Sequence, residues 1–252
     1  MKTSNKLIII CTAALLTGSS CKKDFLDLAP ISQQNGNNFY RTAEDMKNAL
    51  SSVYGALQYS GLYYSSMHII GDLRSDNTEI TDPAAGADMQ AVDMFTNNAV
   101  NSISSNTWNG HYQGIQSANI VINKIDAVNM DAVLKARYKA EARFLRALMY
   151  FNLVRIYGDV PLVVDIINNP QDGYKYGRET TAKVYEQIVT DLKAAEQSLP
   201  FEFTGADIGR ATKWAAMSLL GKVYLTQKNW ALASAKLKEV IDAAAQTKYQ
   251  LV

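Results

Sequence analysis

The protein has 252 residues, of which 48% are hydrophobic and 19% are charged. A chain of this length and composition forms one large domain or two small ones around a substantial core. Its 25 basic and 24 acidic residues nearly cancel, and removal of residues 1–20 would change the formal net charge from +1 to about −1, because Lys2 and Lys6 would be lost. This balance argues against nucleic acid or an anionic membrane as an electrostatic partner.

Residues 1–20 have the pattern of a secretory signal peptide. Lys2 and Lys6 form a positive n-region, and the apolar run Leu7–Leu16 is too short to span a bilayer as a helix. The segment from residue 17 to residue 20 is Thr-Gly-Ser-Ser, which supplies the small residues expected before a cleavage site. We therefore predict that residues 1–20 are a signal peptide.

Cys21 follows the predicted signal directly and would be the only cysteine of the mature chain, so no internal disulfide can form. A cysteine at this position is typical of a bacterial lipoprotein, and we predict Cys21 as the lipid attachment site. Gly18 and Ser20 depart from the usual lipobox, and ordinary cleavage that leaves a free cysteine is the alternative. Residues 21–40 are predicted to be a tether between the anchor and a folded domain at 41–252.

The periodicity of apolar residues predicts an all-α fold. Six helices are expected: one beginning at a Thr42–Asp45 capping box, one carrying Trp108 to Ile125, and four at about Asp131–Tyr157, Thr181–Leu199, Thr212–Gln227 and Trp230–Ala245. Asn119 interrupts the apolar stripe of the second helix, and we expect its amide to bond to a neighbouring backbone. Residues 61–106 have no helical period and are predicted to be a long loop, which in a compact domain is usually functional or mobile.

The third helix, which ends within the stretch Glu141–Val164, is apolar over much of its girth and is expected to be the centre of the fold. Its stop is predicted at Gly158, with Pro161 preventing resumption, and residues 160–164 are expected to be extended. Glu141, Arg143 and Arg146 are expected to pair with adjacent helices.

The last two predicted helices carry a tetratricopeptide-like signature. Leu220, Gly221 and Tyr224, followed by Ala233 and Leu237, fit the order L-G-x-x-Y and then A-x-x-x-F, with Leu in place of Phe. The fold class predicted is therefore all-α, with tetratricopeptide-like helical hairpins and long loops. The third and fourth helices are expected to form one hairpin, interrupted by an insertion at residues 158–178, and the fifth and sixth helices to form the next.

No catalytic motif is present, and we predict that the protein is not an enzyme. The sequence lacks G-x-S-x-G, H-E-x-x-H, a phosphate-binding glycine loop and a dinucleotide fingerprint. The two histidines, His68 and His111, do not form a ligand-spaced pair, and His111 is expected to be structural. The acids of the long loop match no calcium motif, so we predict no metal and no cofactor.

Four segments resemble the SusD/RagB family of outer-membrane nutrient-binding lipoproteins. They are residues 21–30 (CKKDFLDLAP), 108–126 (WNGHYQGIQSANIVINKID), 140–163 (AEARFLRALMYFNLVRIYGDVPLV) and 209–241 (GRATKWAAMSLLGKVYLTQKNWALASAKLKEVI). The resemblance implies a tetratricopeptide-like scaffold that is lipid-anchored at the outer membrane and exposed on the cell surface. It also implies binding of nutrient oligosaccharides, and delivery of them to a partner TonB-dependent, SusC-like transporter.

Members of that family continue well beyond Val252, so the sequence is expected to be a fragment of a longer gene or a truncated paralogue. The alternative function is a structural or protein-interaction module of helical repeats that binds no nutrient.

The residues that contact sugar vary within the family, so the ligand site is predicted from chemistry alone. Aromatic rings stack on the apolar faces of sugars, while amides and acids bond the hydroxyl groups. In the long loop the aromatic rings are Tyr63, Tyr64 and Phe95, and Asp76 and Asn77 lie between them in sequence. These five residues are the predicted ligand-binding set, with packing of the loop back onto the helices as the alternative.

Overall fold

A computed structural model describes residues 39–82 and 84–244. The predicted signal peptide, Cys21 and the predicted tether up to residue 38 lie outside the described residues. Within the described residues, no helix is both long enough and apolar enough to cross a membrane.

The described chain is predominantly helical, as predicted. Its α-helices are α1 (Ala43–Ala56), α2 (Ser66–His68), α3 (Ala87–Asp93), α4 (Ser102–Lys124), α5 (Ala132–Tyr157), α6 (Pro170–Gly173), α7 (Thr181–Ser198), α8 (Lys213–Thr226) and α9 (Trp230–Ala244). Shorter helical turns lie at Ile69–Leu73, Ile125–Ala127 and Gly205–Asp207, and two short strands lie at β1 (Val160–Pro161) and β2 (Arg178–Glu179).

Side-chain caps explain where the long helices begin. The predicted capping box is present at α1, where Thr42 Oγ1 accepts from the Asp45 amide at 3.1 Å and the Asp45 carboxylate accepts from the Thr42 amide at 2.9 Å. At the starts of α4, α5 and α7, the side chains of Asn101, Asp131 and Thr180 accept from first-turn amides without the reciprocal bond. Each cap satisfies amide groups that would otherwise have no partner in the first turn.

Helix α5 is the centre of the fold, as expected. It packs against α1, α4, α7 and α8, and thirteen of its residues are buried, including Tyr150 and Phe151 at the end of its apolar face. The helix ends at Gly158, whose φ of +73° strongly favours glycine, although its ψ of −122° lies outside the left-handed helical basin that was predicted. The last helix, α9, packs mainly against α8.

The two predicted hairpins are present. α5 packs along α7, and α8 packs along α9. A Cβ atom on Gly221 would lie 2.5 Å from Leu237 Cδ2, so glycine permits the close approach of α8 and α9. Tyr224 and Ala233 are buried where this pair meets, as the repeat signature indicated.

The prediction that residues 61–106 form a loop without helices is wrong. This segment contains α2, the π-helical turn at Ile69–Leu73 and α3, and α4 begins within it at Ser102. Helices of three to seven residues contain at most two turns, so they produce no detectable apolar period. Tertiary anchors hold them instead: Val92 of α3 is fully buried, and Asn101 Nδ2 donates to the Asp88 carbonyl at 2.9 Å.

Two buried charges on α5 connect it to its neighbours. Glu141 accepts from the Tyr54 hydroxyl of α1 at 2.8 Å and from Arg210, before α8, at 3.1 Å. Burial raises the pKa of the Glu141 carboxyl, against the opposing effect of these hydrogen bonds. Arg146 pairs with Asp191 of α7. Among the described residues, the predicted pairing is therefore found for Glu141 and Arg146 but not for Arg143.

Candidate functional site

A groove lies between α4 and the insertion that follows α5. Its volume is about 710 Å³. The residues that line it are Tyr59, Trp108, Asn109, Tyr112, Gln113, Ile115, Gln116, Ser117, Pro161, Val163, Ile167, Gly173 and Tyr176. This volume lies within the range of small-molecule sites, and the lining combines aromatic rings, amides and no charged side chain.

Polar side chains at helical spacing on α4 hold the insertion that forms the far wall. The Tyr112 hydroxyl donates to the Pro161 carbonyl at 2.7 Å. The Gln116 amide both donates to and accepts from the backbone of Ile167, at 2.8 and 3.1 Å. Asn119, one further turn along, donates to the carbonyl groups of Val163 and Asp165 at 2.9 and 3.0 Å.

Asn123 completes this stripe by donating to the Val164 carbonyl at 3.2 Å. Residues 112, 116, 119 and 123 are spaced by four, three and four, so they share one face of α4. Residues 162–167 of the insertion lie outside any helix or strand, and the α4 side chains supply hydrogen-bond partners for their backbone groups. The expectation that Asn119 bonds to a neighbouring backbone is confirmed.

A buried charge fixes the orientation of Asn119. Arg146 Nη1 donates to Asn119 Oδ1 at 2.8 Å, and its Nε and Nη2 form a bidentate pair with the Asp191 carboxylate, both at 2.8 Å. Because the Asn119 oxygen accepts from Arg146, the Asn119 amide nitrogen faces the insertion and donates to it. The wall of the groove is thereby connected through α4 and α5 to α7.

The two aromatic rings of α4 that line the groove, Trp108 and Tyr112, pack against each other and against two rings of α5. Trp108 lies 5.0 Å from Tyr112 and 5.2 Å from Tyr157, between ring centroids, and the second contact is edge-to-face. Tyr112 in turn contacts Tyr150 edge-to-face at 6.5 Å. Burial raises the pKa of the Tyr112 phenol and raises that of Tyr157 to about 12, so both remain neutral hydrogen-bond donors at physiological pH. Such stacking restricts the rings that face the groove to one orientation.

Two amides on the open side of α4 complete the polar lining. Asn109 and Gln113 are exposed and four residues apart, so they lie side by side on the helix. Among the described residues, neither side-chain amide has a hydrogen-bond partner in the protein. Each therefore offers both a donor and an acceptor to a ligand in the groove.

Two smaller pockets adjoin the groove and share lining residues with it. One, of about 440 Å³, shares Trp108 and Asn109 and extends past Tyr157 to Arg178. The other, of about 230 Å³, shares Tyr59, Asn109 and Gln113. The exposed face of α4 thus carries three adjoining depressions with Asn109 in common.

The five predicted ligand residues lie elsewhere, and none of them lines these three depressions. Tyr63 is 38% exposed and its hydroxyl accepts from Asn152 of α5 at 2.9 Å, whereas the Tyr64 ring is 78% exposed. Phe95 is 61% exposed and lies under the guanidinium of Arg74, 4.8 Å from its ring centroid. Asp76 and Asn77 are exposed on the connection between α2 and α3. The role of these five residues stays a prediction.

The groove residues were missed because the sequence assigned them to the core. Trp108 and Tyr112 lie on the predicted apolar stripe of the second helix, and the structure buries each of them only in part. The signal that could have identified them is the pair of exposed amides at Asn109 and Gln113, each of which directly follows one of these aromatic residues.

His111 is fully buried on α4 and has no part in the groove. Its Nδ1 lies 2.7 Å from the Thr107 carbonyl, and burial lowers its pKa to about 4. Over residues 39–82 and 84–244, no group of three His, Cys, Asp or Glu side chains is arranged to hold a metal ion.

A family profile described as starch-binding and associating with the outer membrane matches residues 24–225. The chain belongs to the SusD-like family. A SusD-like protein of Bacteroides ovatus is 32% identical over 234 residues, which cover 90% of this chain and 40% of that protein. SusD-like protein P25 of Formosa agariphila is 28% identical over 255 residues, which cover 96% of this chain and 46% of that protein.

Solved structures show the same SusD-like fold. A laminarin-binding SusD-like protein superposes with a TM-score of 0.75 at 31% identity, covering 84% of this chain and 47% of the other. Surface glycan-binding protein A from Bacteroides fluxus superposes with a TM-score of 0.73 at 24% identity, covering 84% and 46%. The chain therefore spans less than half the length of these SusD-like relatives.

Proposed function

We propose that this SusD-like chain belongs to a cell-surface lipoprotein that binds nutrient oligosaccharides in the α4 groove and delivers them to a SusC-like TonB-dependent transporter. The observation that carries the proposal is the uncharged aromatic groove beside α4. Trp108 and Tyr112 present rings for the apolar face of a sugar, and Asn109 and Gln113 present amides to its hydroxyl groups.

The comparisons support a glycan ligand. The matching family profile is described as starch-binding, and one similar solved structure is named for binding laminarin. A role in binding without catalysis fits the sequence, which carries no catalytic motif. Neither a metal nor an organic cofactor enters the proposal.

The binding site is tested by isothermal titration of the purified protein with starch oligosaccharides, laminarin oligosaccharides and a wider panel of polysaccharides. Trp108→Ala should weaken binding of the recognised glycan about tenfold or more, because an aromatic side chain at the centre of a site commonly contributes above 1 kcal/mol. Trp230→Ala is the matched control, since that ring is 62% exposed on α9 and does not line the groove.

A second variant distinguishes loss of glycan binding from misfolding of the protein. Asn109 and Gln113 are exposed and without protein partners among the described residues, so their joint replacement by Ala should leave stability unchanged while weakening glycan affinity. Unchanged affinity in both the Trp108 and the amide variants would refute the groove as the site, whereas a complete lack of glycan binding by the native protein would refute the function.

Outer-membrane anchoring rests on Cys21, which lies outside the described residues. Labelled palmitate should enter the native protein and not a Cys21→Ser variant, and globomycin should block its maturation. Delivery to a transporter predicts that the protein co-purifies with a TonB-dependent partner from cells that express both. Labelled palmitate that fails to enter the native protein would remove the lipid anchor and leave the glycan site untouched.

Tyr63, Tyr64, Asp76, Asn77 and Phe95 are proposed as a separate edge of the ligand site. Tyr64 and Phe95 are the most exposed rings of this set, so their replacement by Ala is the informative change. Unchanged glycan affinity in that double variant would reject the contribution.

The alternative is a helical-repeat module that recognises a protein and no nutrient. Retention of a transporter partner without measurable affinity for any glycan would favour this alternative.

A further inference from the structure

The guanidinium group of Arg178 lies beside the groove and forms no ion pair or hydrogen bond among the described residues. Arg178 lies on β2 and lines the 440 Å³ pocket that shares Trp108 and Asn109 with the groove. Arg178 is exposed, and among the described residues its side chain has no ion pair or hydrogen bond with the protein. Its charge is available to a ligand.

The fold places this arginine there by a specific pairing. β2 runs antiparallel to β1, with Arg178 opposite Pro161. Pro161 is itself part of the groove wall and accepts the hydrogen bond from Tyr112. The hydrogen bond from Tyr112 holds β1 against α4, and the pairing of β2 with β1 therefore places Arg178 beside the groove.

Nearby acids do not neutralise Arg178. Asp159 accepts from the Thr181 amide at 2.8 Å, and Glu179 forms an ion pair with Lys183 at 2.8 Å. The pocket itself is lined by amides, hydroxyls and aromatic rings, and Arg178 is its single charged residue. The groove on the other side of Trp108 has no charged lining residue.

We propose that this pocket is a subsite for an anionic substituent of the glycan, a carboxylate of a uronic acid or a sulfate ester, adjacent to a sugar stacked at Trp108. Guanidinium is planar and binds both kinds of anion through paired N–H donors. Asn98 lines the same pocket, and its side-chain nitrogen has no acceptor among the described residues, so it supplies a further donor. The inference rests on the proposed function, because it specifies what the same site selects.

The experiment compares neutral and anionic forms of one backbone. Maltoheptaose and laminariheptaose are each titrated into the purified protein unmodified, after oxidation of C6 to the uronate, and after sulfation. The native protein should bind at least one anionic form about tenfold or more tightly than the neutral form, with a preference that decreases as salt is added. Comparison of the uronate form with the sulfated form shows whether the pocket binds a carboxylate or a sulfate ester.

Arg178→Gln should remove this preference and leave affinity for the neutral form within about twofold. Lys124→Gln is the matched control, because it removes one exposed positive charge at the end of α4 from a residue outside all three depressions. It should retain the preference.

The two hypotheses fail differently. Equal binding of neutral and anionic forms by the native protein, or a preference that persists in Arg178→Gln, would overturn the anionic subsite and leave glycan binding intact. Absence of binding by every form and by the wider panel of polysaccharides would overturn both. Binding of the neutral form alone would support the groove and reject the subsite.

Discussion

The buried pair between Arg146 and Asp191 should be essential for stability, and Asp191→Ala is the change that tests it. The two side chains are 4% and 2% exposed, and both hydrogen bonds between them are 2.8 Å long. Removal of the carboxylate would leave a guanidinium in the interior with two unpaired donors. Breaking a buried pair on one side typically costs about 3–5 kcal/mol, because the remaining charge is uncompensated.

That cost is a large part of the roughly 5–15 kcal/mol that stabilises a folded domain. It should also loosen the groove wall, because Arg146 orients Asn119, which holds the carbonyl groups of Val163 and Asp165. A double variant, Arg146→Met with Asp191→Leu, should be more stable than Asp191→Ala, since it leaves no buried charge.

Urea unfolding followed by far-ultraviolet circular dichroism measures the free energy of unfolding. The control is Asp242→Asn, which breaks an ion pair between Asp242 and Lys238 that is exposed on α9 and should cost less than about 1 kcal/mol. A loss below about 1 kcal/mol in Asp191→Ala would refute the assignment of Arg146 and Asp191 as the connection between the groove wall and α7.

Two further changes test the core. Phe151→Ala on α5 should lower the free energy of unfolding by about 3–5 kcal/mol, because it opens a cavity at a side chain that is 1% exposed. Burial lowers the pKa of His111 to about 4, against about 6.5 in the unfolded chain. Between these two pH values the unfolded state binds a proton that the folded state does not. The free energy of unfolding should therefore fall by about 2–4 kcal/mol as the pH decreases from 6.5 to 4. His111→Leu should remove that part of the pH dependence.

Each of these has a clear contrary result in the same unfolding assay. A loss below about 1 kcal/mol for Phe151→Ala would show that α5 is not central to the core. Parallel stability–pH curves for the native protein and His111→Leu would show that the imidazole titrates normally in the folded state.

Local signals predicted the helical scaffold. The capping box at Thr42, the glycine at residue 158 and the L-G-x-x-Y order around Gly221 all depend on neighbours within one or two turns, so the sequence contains the information directly. α2 and α3 were missed because their anchors, such as the bond between Asn101 and Asp88, connect residues more than ten positions apart.

The groove could not be derived from periodicity for the same reason. Tyr112 and Gln116 bond to the backbone of an insertion about 50 residues later in the chain. On the sequence alone, an aromatic residue on a helical stripe has the appearance of core, and only the position of the insertion leaves Trp108 and Tyr112 partly open. The ligand site was therefore predicted at aromatic residues of the long loop, such as Tyr64.

The most direct test of glycan binding in the groove uses the indole signals of the three tryptophans, Trp108, Trp214 and Trp230. Their N–H resonances, assigned through single Trp→Phe variants, are followed by ¹H–¹⁵N nuclear magnetic resonance as the recognised oligosaccharide is added. Binding in the groove predicts that the Trp108 signal shifts progressively to saturation while those of Trp214 and Trp230 stay in place. A saturable shift of Trp230 with no change at Trp108 would contradict the proposed site.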